Sequence, residues 1–310
     1  MMEILLALAL DLLVGDPENL PHPVRLMGRI INWEEGLARK VFTSPRGLKF
    51  AGLLMVVINV FLAVFLPGIL LYFLAFLSLD KVFSTYLIFS CLAARNLRDE
   101  AMKVYRDLDQ GLDEARYRLS FIVGRDTKEL DEAGIIRATV ETVSENTSDG
   151  IIAPLFYILL FGPIGGLVYK FINTMDSMVA YKNEKYENLG YFPALVDDLV
   201  NFLPARLSAA LMLVSSLGRY SVIRAFRVII RDRKKHESPN AIYPEAAVAG
   251  LLGVELGGGS YYKGTYVDKP TIGDGLRGIE SQDIKRSIEI MFTSEFLLVL
   301  IYLLINLLRS

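Results

Sequence analysis

The sequence predicts an all-α fold: a multi-pass membrane helical bundle with large polar, partly helical loops. Three observations carry this. Phe50 to Leu79 contains no charged residue, and that run exceeds the roughly twenty apolar residues a bilayer crossing needs. Ile290 to Leu308 carries a single charge, Glu295, and meets the same test. Strand signals are weak, with faint period-two alternation only in Ser260 to Val267, which reads as a small hairpin or an irregular loop. The average composition hides the pattern. Over 310 residues, 53% are hydrophobic and 22% charged, close to the about 45–50% and 25% of soluble domains. The apolar residues are gathered in blocks. We therefore read residues 1–310 as a single integral membrane domain, with polar cytoplasmic-loop regions at about 15–49, 95–150 and 218–289.

In chain order, Ile4 to Val14 is a short apolar run. It lacks a basic flank and carries Glu3 and Asp11, so it reads as a retained helix rather than a signal peptide. Pro67-Gly68 interrupts the long run, and Pro-Gly is a turn signal. A hairpin is expected there, its second arm reaching into Val82 to Ala94; the alternative is one tilted helix kinked at Pro67. The hairpin places Gly15–Lys49 and Arg95–Arg137, both rich in Lys and Arg, on one side, the cytoplasmic one. Leu97, Ala101, Val104 and Leu108 step by three and four, which predicts an amphipathic helix on the membrane surface. Ile151–Ile172 and Leu195–Leu217 are spans, re-entrant segments or buried helices. Arg219 to His236 is strongly basic and reads as a juxtamembrane helix that attracts anionic lipid or as a holder of anionic substrate.

Several chemistries are excluded early. One cysteine, Cys91, leaves no disulfide scaffold and no cysteine-built zinc site. Two histidines, His22 and His236, lie far apart, which argues against a His-rich metal site. Lys+Arg 33 against Asp+Glu 35 gives a net charge of −2, with no basic excess to suit nucleic acid as a partner.

The polar residues beside the apolar runs are the candidates for function. Glu141, Glu145 and Asp149 follow an i, i+4, i+8 spacing that stacks them on one helix face. Like charges so placed repel, and Mg²⁺, which is held by one or two carboxylates with phosphate oxygens and water, is a natural counter-ion. A solvated acidic face partnered by Arg137 is the other reading. Ile151 begins an apolar run at once, and ionisable groups at a membrane mouth are usually functional. Asn173 and Asp176 share a helix face after that run, followed by Lys182. Asp197 and Asp198 reach Asn201 in the same way, with Arg206 beyond. Near the N-terminus, Pro21-His22-Pro23-Val24-Arg25 forms a rigid loop that can aim His22 at a substrate. Pro244-Glu245 leads into Gly257-Gly258-Gly259, a weak glycine-rich phosphate signal without the Walker A ending.

Taken in order, these strings resemble one family. They are Gly15-Asp16-Pro17, Pro21-His22-Pro23, Glu141-Thr-Val-Ser-Glu145-Asn146-Thr-Ser-Asp149-Gly150, Asn173-Thr-Met-Asp176, Tyr181-Lys182-Asn183-Glu184, Asp197-Asp198-Leu-Val-Asn201-Phe-Leu-Pro204-Ala-Arg206, Ser238-Pro239-Asn240 and Pro244-Glu245. The chain is similar through them to the membrane-bound adenosylcobinamide-phosphate synthases of cobalamin biosynthesis, the CobD/CbiB type. The resemblance implies a multi-pass inner-membrane ligase. It would join aminopropanol phosphate, or a related amino alcohol, to the corrinoid adenosylcobyric acid, with ATP consumed and Mg²⁺ required. Lipid is an implied partner, as is contact with later membrane enzymes of cobalamin assembly.

Residue chemistry then suggests roles. Glu141, Glu145 and Asp149 suit Mg²⁺–nucleotide, and Asp176, Asp197 and Asp198 suit a second metal contact or amine deprotonation. Lys182 and Arg206 suit phosphate, Arg through a bidentate fork. Asn146, Asn173 and Asn201 suit hydrogen bonds to corrin amides or ribose, with His22, Arg25 and Glu245 as further binding residues. The alternatives are an intramembrane Mg-dependent prenyl- or alcohol-phosphotransferase, which also groups Asp and Asn near membrane helices, and a transporter.

Overall fold

A computed structural model of the chain describes residues 1–16, 21–181 and 183–309. Lys182 lies outside the described residues, as do Pro17 and the three residues after it. The helices are α1 (Met2–Val14), α2 (Pro23–Val41), α3 (Pro45–Ala75), α4 (Asp80–Phe89), α5 (Ala94–Asp107), α6 (Leu112–Leu119), α7 (Glu132–Thr147), α8 (Ala153–Val179), α9 (Tyr191–Ser215), α10 (Val222–Asp232), α11 (Ile242–Leu252) and α12 (Gln282–Arg309). A single π-helical turn, Ser148–Ile152, joins α7 to α8, and short strands β1 (Glu255–Gly257), β2 (Ser260–Tyr262), β3 (Thr265–Val267) and β4 (Thr271–Gly273) lie before α12. The all-α expectation holds. By length and composition, Pro45–Ala75, Glu132–Val179, Tyr191–Ser215 and Gln282–Leu308 are apolar enough to cross a membrane. The chain forms two compact units, Met1–Ala93 with Ala153–Asn201, and Ala94–Ile152 with Phe202–Ser310.

In the first unit, α3 starts where Ser44 Oγ accepts the Gly47 N–H at 3.1 Å, with Pro45 at the first helical position. The helix then runs through Pro67 without a break. The hairpin expected at Pro67-Gly68 is therefore absent. Away from water every freed N–H and C=O is costly. Pro67 forfeits one backbone bond, whereas an open turn would forfeit several. The chain turns instead at Phe76–Leu79, after the apolar run is nearly spent, with Ser78 at a φ of 58°. A buried polar pair ties α2 to α3: Asn59 Nδ2 donates to Glu34 Oε2 at 2.8 Å. Gly52 lets α3 approach Leu189, whose carbonyl oxygen lies 2.1 Å from where a Cβ would stand.

The real reversal is in α8. Gly162 takes a φ of 68°, which only glycine adopts without strain, and Pro163 begins the next helical stretch. The two stretches fold onto each other. A Cβ on Gly165 would lie 2.5 Å from the Tyr157 carbonyl oxygen and one on Gly166 2.6 Å from Ile158. The Tyr157 and Tyr169 rings stack at 5.5 Å. Ile151–Ile172 thus folds back on itself as a helical hairpin, with Leu160 and Phe161 exposed at its tip. Neither arm alone supplies the about twenty apolar residues of a span. Cys91 is buried beside this hairpin, its Sγ 3.3 Å from the Gly166 Cβ position. Burial pushes its thiol up to about 12.

In the second unit, α5 and α6 pack on α7 around Val104, Ala115, Leu119, Ile135 and Ala138. The periodic residues Ala101 and Val104 are buried as expected. α10 lies on α11 so closely that a Cβ on Gly250 would come within 2.4 Å of Ala225 Cα. Arg224 donates to the Gly250 and Leu251 carbonyls, at 2.7 and 2.9 Å. These are among the carbonyls that a helix C-terminus leaves unpaired. β1 pairs antiparallel with β4 and β2 with β3, so the Ser260–Val267 segment is a hairpin. Asp232, fully buried, anchors this corner: it accepts from Arg231, from Lys235 and from the Gly273 N–H at 2.9 Å.

Candidate active site

A cavity of about 390 Å³ opens in the second unit. α7 contributes Glu141, Thr142, Glu145 and Asn146 to its lining, two adjacent pairs one helical turn apart. The segment before α11 adds Lys235, His236 and Glu237, and α11 itself adds Glu245. The β1 loop supplies Gly257 and Gly258, and the strand region supplies Tyr262, Asp268 and Lys269.

Glu141 is buried and fully engaged. Its Oε2 accepts from Arg125 Nη2 at 2.6 Å and its Oε1 from the Gly257 N–H at 2.6 Å. The repulsion read between Glu141 and Glu145 is thus met by a guanidinium, and the Gly257 amide is occupied by a carboxylate. Gly258 donates its N–H to the Pro270 carbonyl at 3.3 Å. These two amides are therefore committed within the chain and do not form the phosphate cradle that the glycine-rich stretch suggested.

Burial pushes the Glu245 carboxyl well above the usual carboxylate range; the charges of Glu141 and Glu145 add to that, and Arg125 and Lys269 oppose it. His236 Nε2 faces Glu245 Oε1 at 3.9 Å. The Ser238 N–H donates to His236 Nδ1 at 3.0 Å, which fixes the ring with its Nε2 edge toward Glu245. Burial lowers the His236 pKa, so the ring is neutral at physiological pH. The turn that fixes it is made by Ser238, whose Oγ accepts from the Asn240 and Ala241 N–H groups. Sequence reasoning missed His236, Arg125 and Lys269. The Ser238-Pro239-Asn240 turn directly after His236 was the available signal for the first.

Of the residues expected at a site, Glu141, Glu145, Asn146 and Glu245 meet in this cavity. Asp149 sits in the π-helical turn and is not among the lining residues. Arg206, also in the second unit, donates to Asn240 Oδ1 at 3.3 Å and lies over the Tyr243 ring at 4.2 Å. The others belong to the first unit. His22 Nε2 lies 3.4 Å from Asp16 Oδ1, ahead of Arg25 on α2. Asn173 and Asp176 stand on the second arm of the α8 hairpin. Asn201 Nδ2 donates to Asp197 Oδ2 at 2.9 Å, and Tyr169 donates to Asn201 Oδ1 at 2.9 Å. Asp198 follows on α9. Among the described residues, no three His, Cys, Asp or Glu side chains are grouped to hold a metal ion.

The family model for "CobD/Cbib protein" matches residues 4–291. The chain belongs to the CobD/CbiB family. Among the CobD/CbiB relatives is the cobalamin biosynthesis protein CobD of Clostridium tetani, 45% identical over 98% of this chain and 97% of that one. The CobD of Klebsiella pneumoniae is 46% identical over 95% and 93%. The cobalamin biosynthesis protein CbiB of Salmonella typhi is 44% identical over 96% and 95%. No solved structure matches the chain. The CobD/CbiB match takes in all the strings on which the resemblance was drawn, and both partners of the Glu245–His236 contact.

Proposed function

We propose that this protein acts in cobalamin biosynthesis as an adenosylcobinamide-phosphate synthase. It attaches aminopropanol phosphate, or a related amino alcohol, to adenosylcobyric acid with consumption of ATP. The relatives' names favour this over the phosphotransferase and transporter alternatives. The observation that carries the chemistry is the Glu245–His236 pair at an acidic cavity. In the reaction ATP phosphorylates the corrin carboxylate to an acyl phosphate and leaves as ADP. The amine then attacks the acyl carbon, a C–N bond forms, phosphate leaves and the nitrogen loses a proton. Glu245 in its ionised form takes that proton; burial holds its carboxyl above the usual carboxylate range, which makes the ionised form a stronger base. The His236 ring, its Nε2 3.9 Å from Glu245 Oε1, borders the carboxyl and limits where it can move. The amine enters as the free –NH₂, so the one proton lost after attack is the one Glu245 takes.

The donor set suits Mg²⁺ carried on phosphate, which needs only one or two protein carboxylates, rather than a closed protein cage. Glu145, which lines the cavity one turn along α7 from Glu141, is the carboxylate we assign to it. Bound there, Mg²⁺ would neutralise phosphate charge. The cavity volume of about 390 Å³ falls at the small end of ligand pockets. It fits an amino alcohol phosphate or a polyphosphate, and the corrin ring lies outside it. In this reading the protein sits in the cytoplasmic membrane with the cavity toward the cytoplasm. α10 supports a lipid contact, since Ile223, Phe226 and Ile230 are exposed on the face away from α11 with Arg227 beside them.

The test is a product assay. Purified protein receives adenosylcobyric acid, Mg-ATP and aminopropanol phosphate, aminopropanol or ethanolamine phosphate in turn, with cobinamide products read by mass. A mass gain matching the amide supports the reading; unchanged corrinoid with every amine overturns it.

A further inference from the structure

A guanidinium stays charged at any physiological pH, so a partly buried one needs an acceptor. The second unit supplies one for nearly all of its partly buried arginines. Arg125 has Glu141, Arg224 has two carbonyls and Arg116 has the Leu130 carbonyl. Arg137 is the exception among the described residues. It is half-buried on α7, its Nε is closed off from solvent with no hydrogen-bond partner, and it makes no ion pair. Glu141 is one turn along the same face, but its oxygens go to Arg125 and Gly257.

Arg137 instead reaches the glycine loop. Its Nη1 lies 3.8 Å from where a Cβ of Gly258 would stand, and Gly258 lines the cavity. Thr271 Cγ2 is 3.7 Å from the same point. The Thr271 carbonyl accepts from Lys235, another lining residue, at 3.0 Å. A side chain at Gly258 would stand against the guanidinium; glycine leaves that approach open. Arg137 thus stands beside the Gly258 wall of a cavity that Lys235 and Lys269 also line.

We infer that Arg137 is the anion anchor of this cavity and binds a phosphate group of one of its ligands at the Gly258 wall. A guanidinium grips phosphate bidentately. The inference rests on the ligase reading only for which phosphate is held: that of ATP or that of the phosphorylated amino alcohol.

The test uses the full-length protein in detergent. Inorganic pyrophosphate binding is measured by calorimetry for wild type, Arg137→Ala, Arg137→Lys and a control, Arg106→Ala, an exposed position on α5. Expected is at least a tenfold loss of affinity in Arg137→Ala, partial recovery in Arg137→Lys and no change in the control. In the amidation assay, a raised KM for ATP with every amine assigns the nucleotide phosphate. A raised KM for aminopropanol phosphate, absent with aminopropanol, assigns the amine's phosphate. Wild type that fails to bind pyrophosphate overturns the inference, as does Arg137→Ala with unchanged affinity and both KM values unchanged, whatever its melting temperature. If Arg137→Ala does not fold, Arg137→Gln carries the same comparison. Wild type that makes no amide but loses pyrophosphate on Arg137→Ala would overturn the ligase reading and leave the anchor standing.

Discussion

Removing Arg125 should damage the protein more than removing its partner. In Arg125→Ala the Glu141 carboxylate, with 6% of its side chain exposed, keeps only the Gly257 N–H. Stripping the partner from a buried ion costs about 3–5 kcal/mol. The Arg125 side chain is itself 20% exposed, and water entering its place sets the cost near the lower end, about 3 kcal/mol. That corresponds to a fall in melting temperature on the order of 5–10 °C. Glu141→Gln leaves a guanidinium that water reaches more easily, and should cost about 1–2 kcal/mol, the scale of one hydrogen bond. The decisive variant is the double one. Arg125→Ala with Glu141→Gln removes both charges, so it should be more stable than Arg125→Ala alone by roughly 2 kcal/mol. Thermal denaturation of all four proteins in nanodiscs gives the cycle. If the double variant is as destabilised as the two single losses added together, the carboxylate is not held by Arg125 as described.

Three further outcomes follow from the same structure. Glu245→Gln keeps the side chain's shape but removes the proton acceptor; it should change stability by under about 1 kcal/mol, yet lower kcat by about 10²–10⁴-fold; amidation rates and melting curves check both. Burial acts upward on Asp232, but hydrogen bonds from Arg231, Gly273 and Lys235 outweigh it and hold its carboxyl below the usual range. Its contribution is therefore present above the ordinary carboxylate pKa and lost as pH falls toward the lowered one, and Asp232→Asn should flatten that acid-side loss in melting temperature measured from pH 7 to 3. Gly250→Val drives a side chain into Ala225 and should destabilise by about 1–3 kcal/mol, read as lost α10–α11 protection in hydrogen exchange.

The membrane helices were legible because they are written locally, as long uncharged runs. Two turn signals show where local reading stops. Pro67-Gly68 and Gly162-Pro163 contain the same two residues, but the order decides the outcome. Glycine before proline gives a positive-φ residue that ends one helix and a proline suited to start the next. Proline before glycine gives neither, so α3 continues and α8 folds back. The site divides in the same way. Glu141, Glu145 and Glu245 stand out as carboxylates beside apolar stretches. Arg125, His236 and Lys269 join them through contacts such as Gly257 to Glu141, 116 positions apart, and no spacing within a segment encodes that. The repulsion argument for a metal at Glu141 was sound as electrostatics, but it lacked Arg125.

Cys91 has a use that its burial creates. With no exposed native thiol and a proton held up to about 12, the protein behaves toward maleimide reagents as if it had no cysteine. Any cysteine introduced singly at an exposed position then reports alone. Placed at the Leu160–Phe161 tip, in α10 or at the ends of α3, such reporters and a membrane-impermeant reagent would map which face of the bilayer each segment meets, without first rebuilding the native sequence.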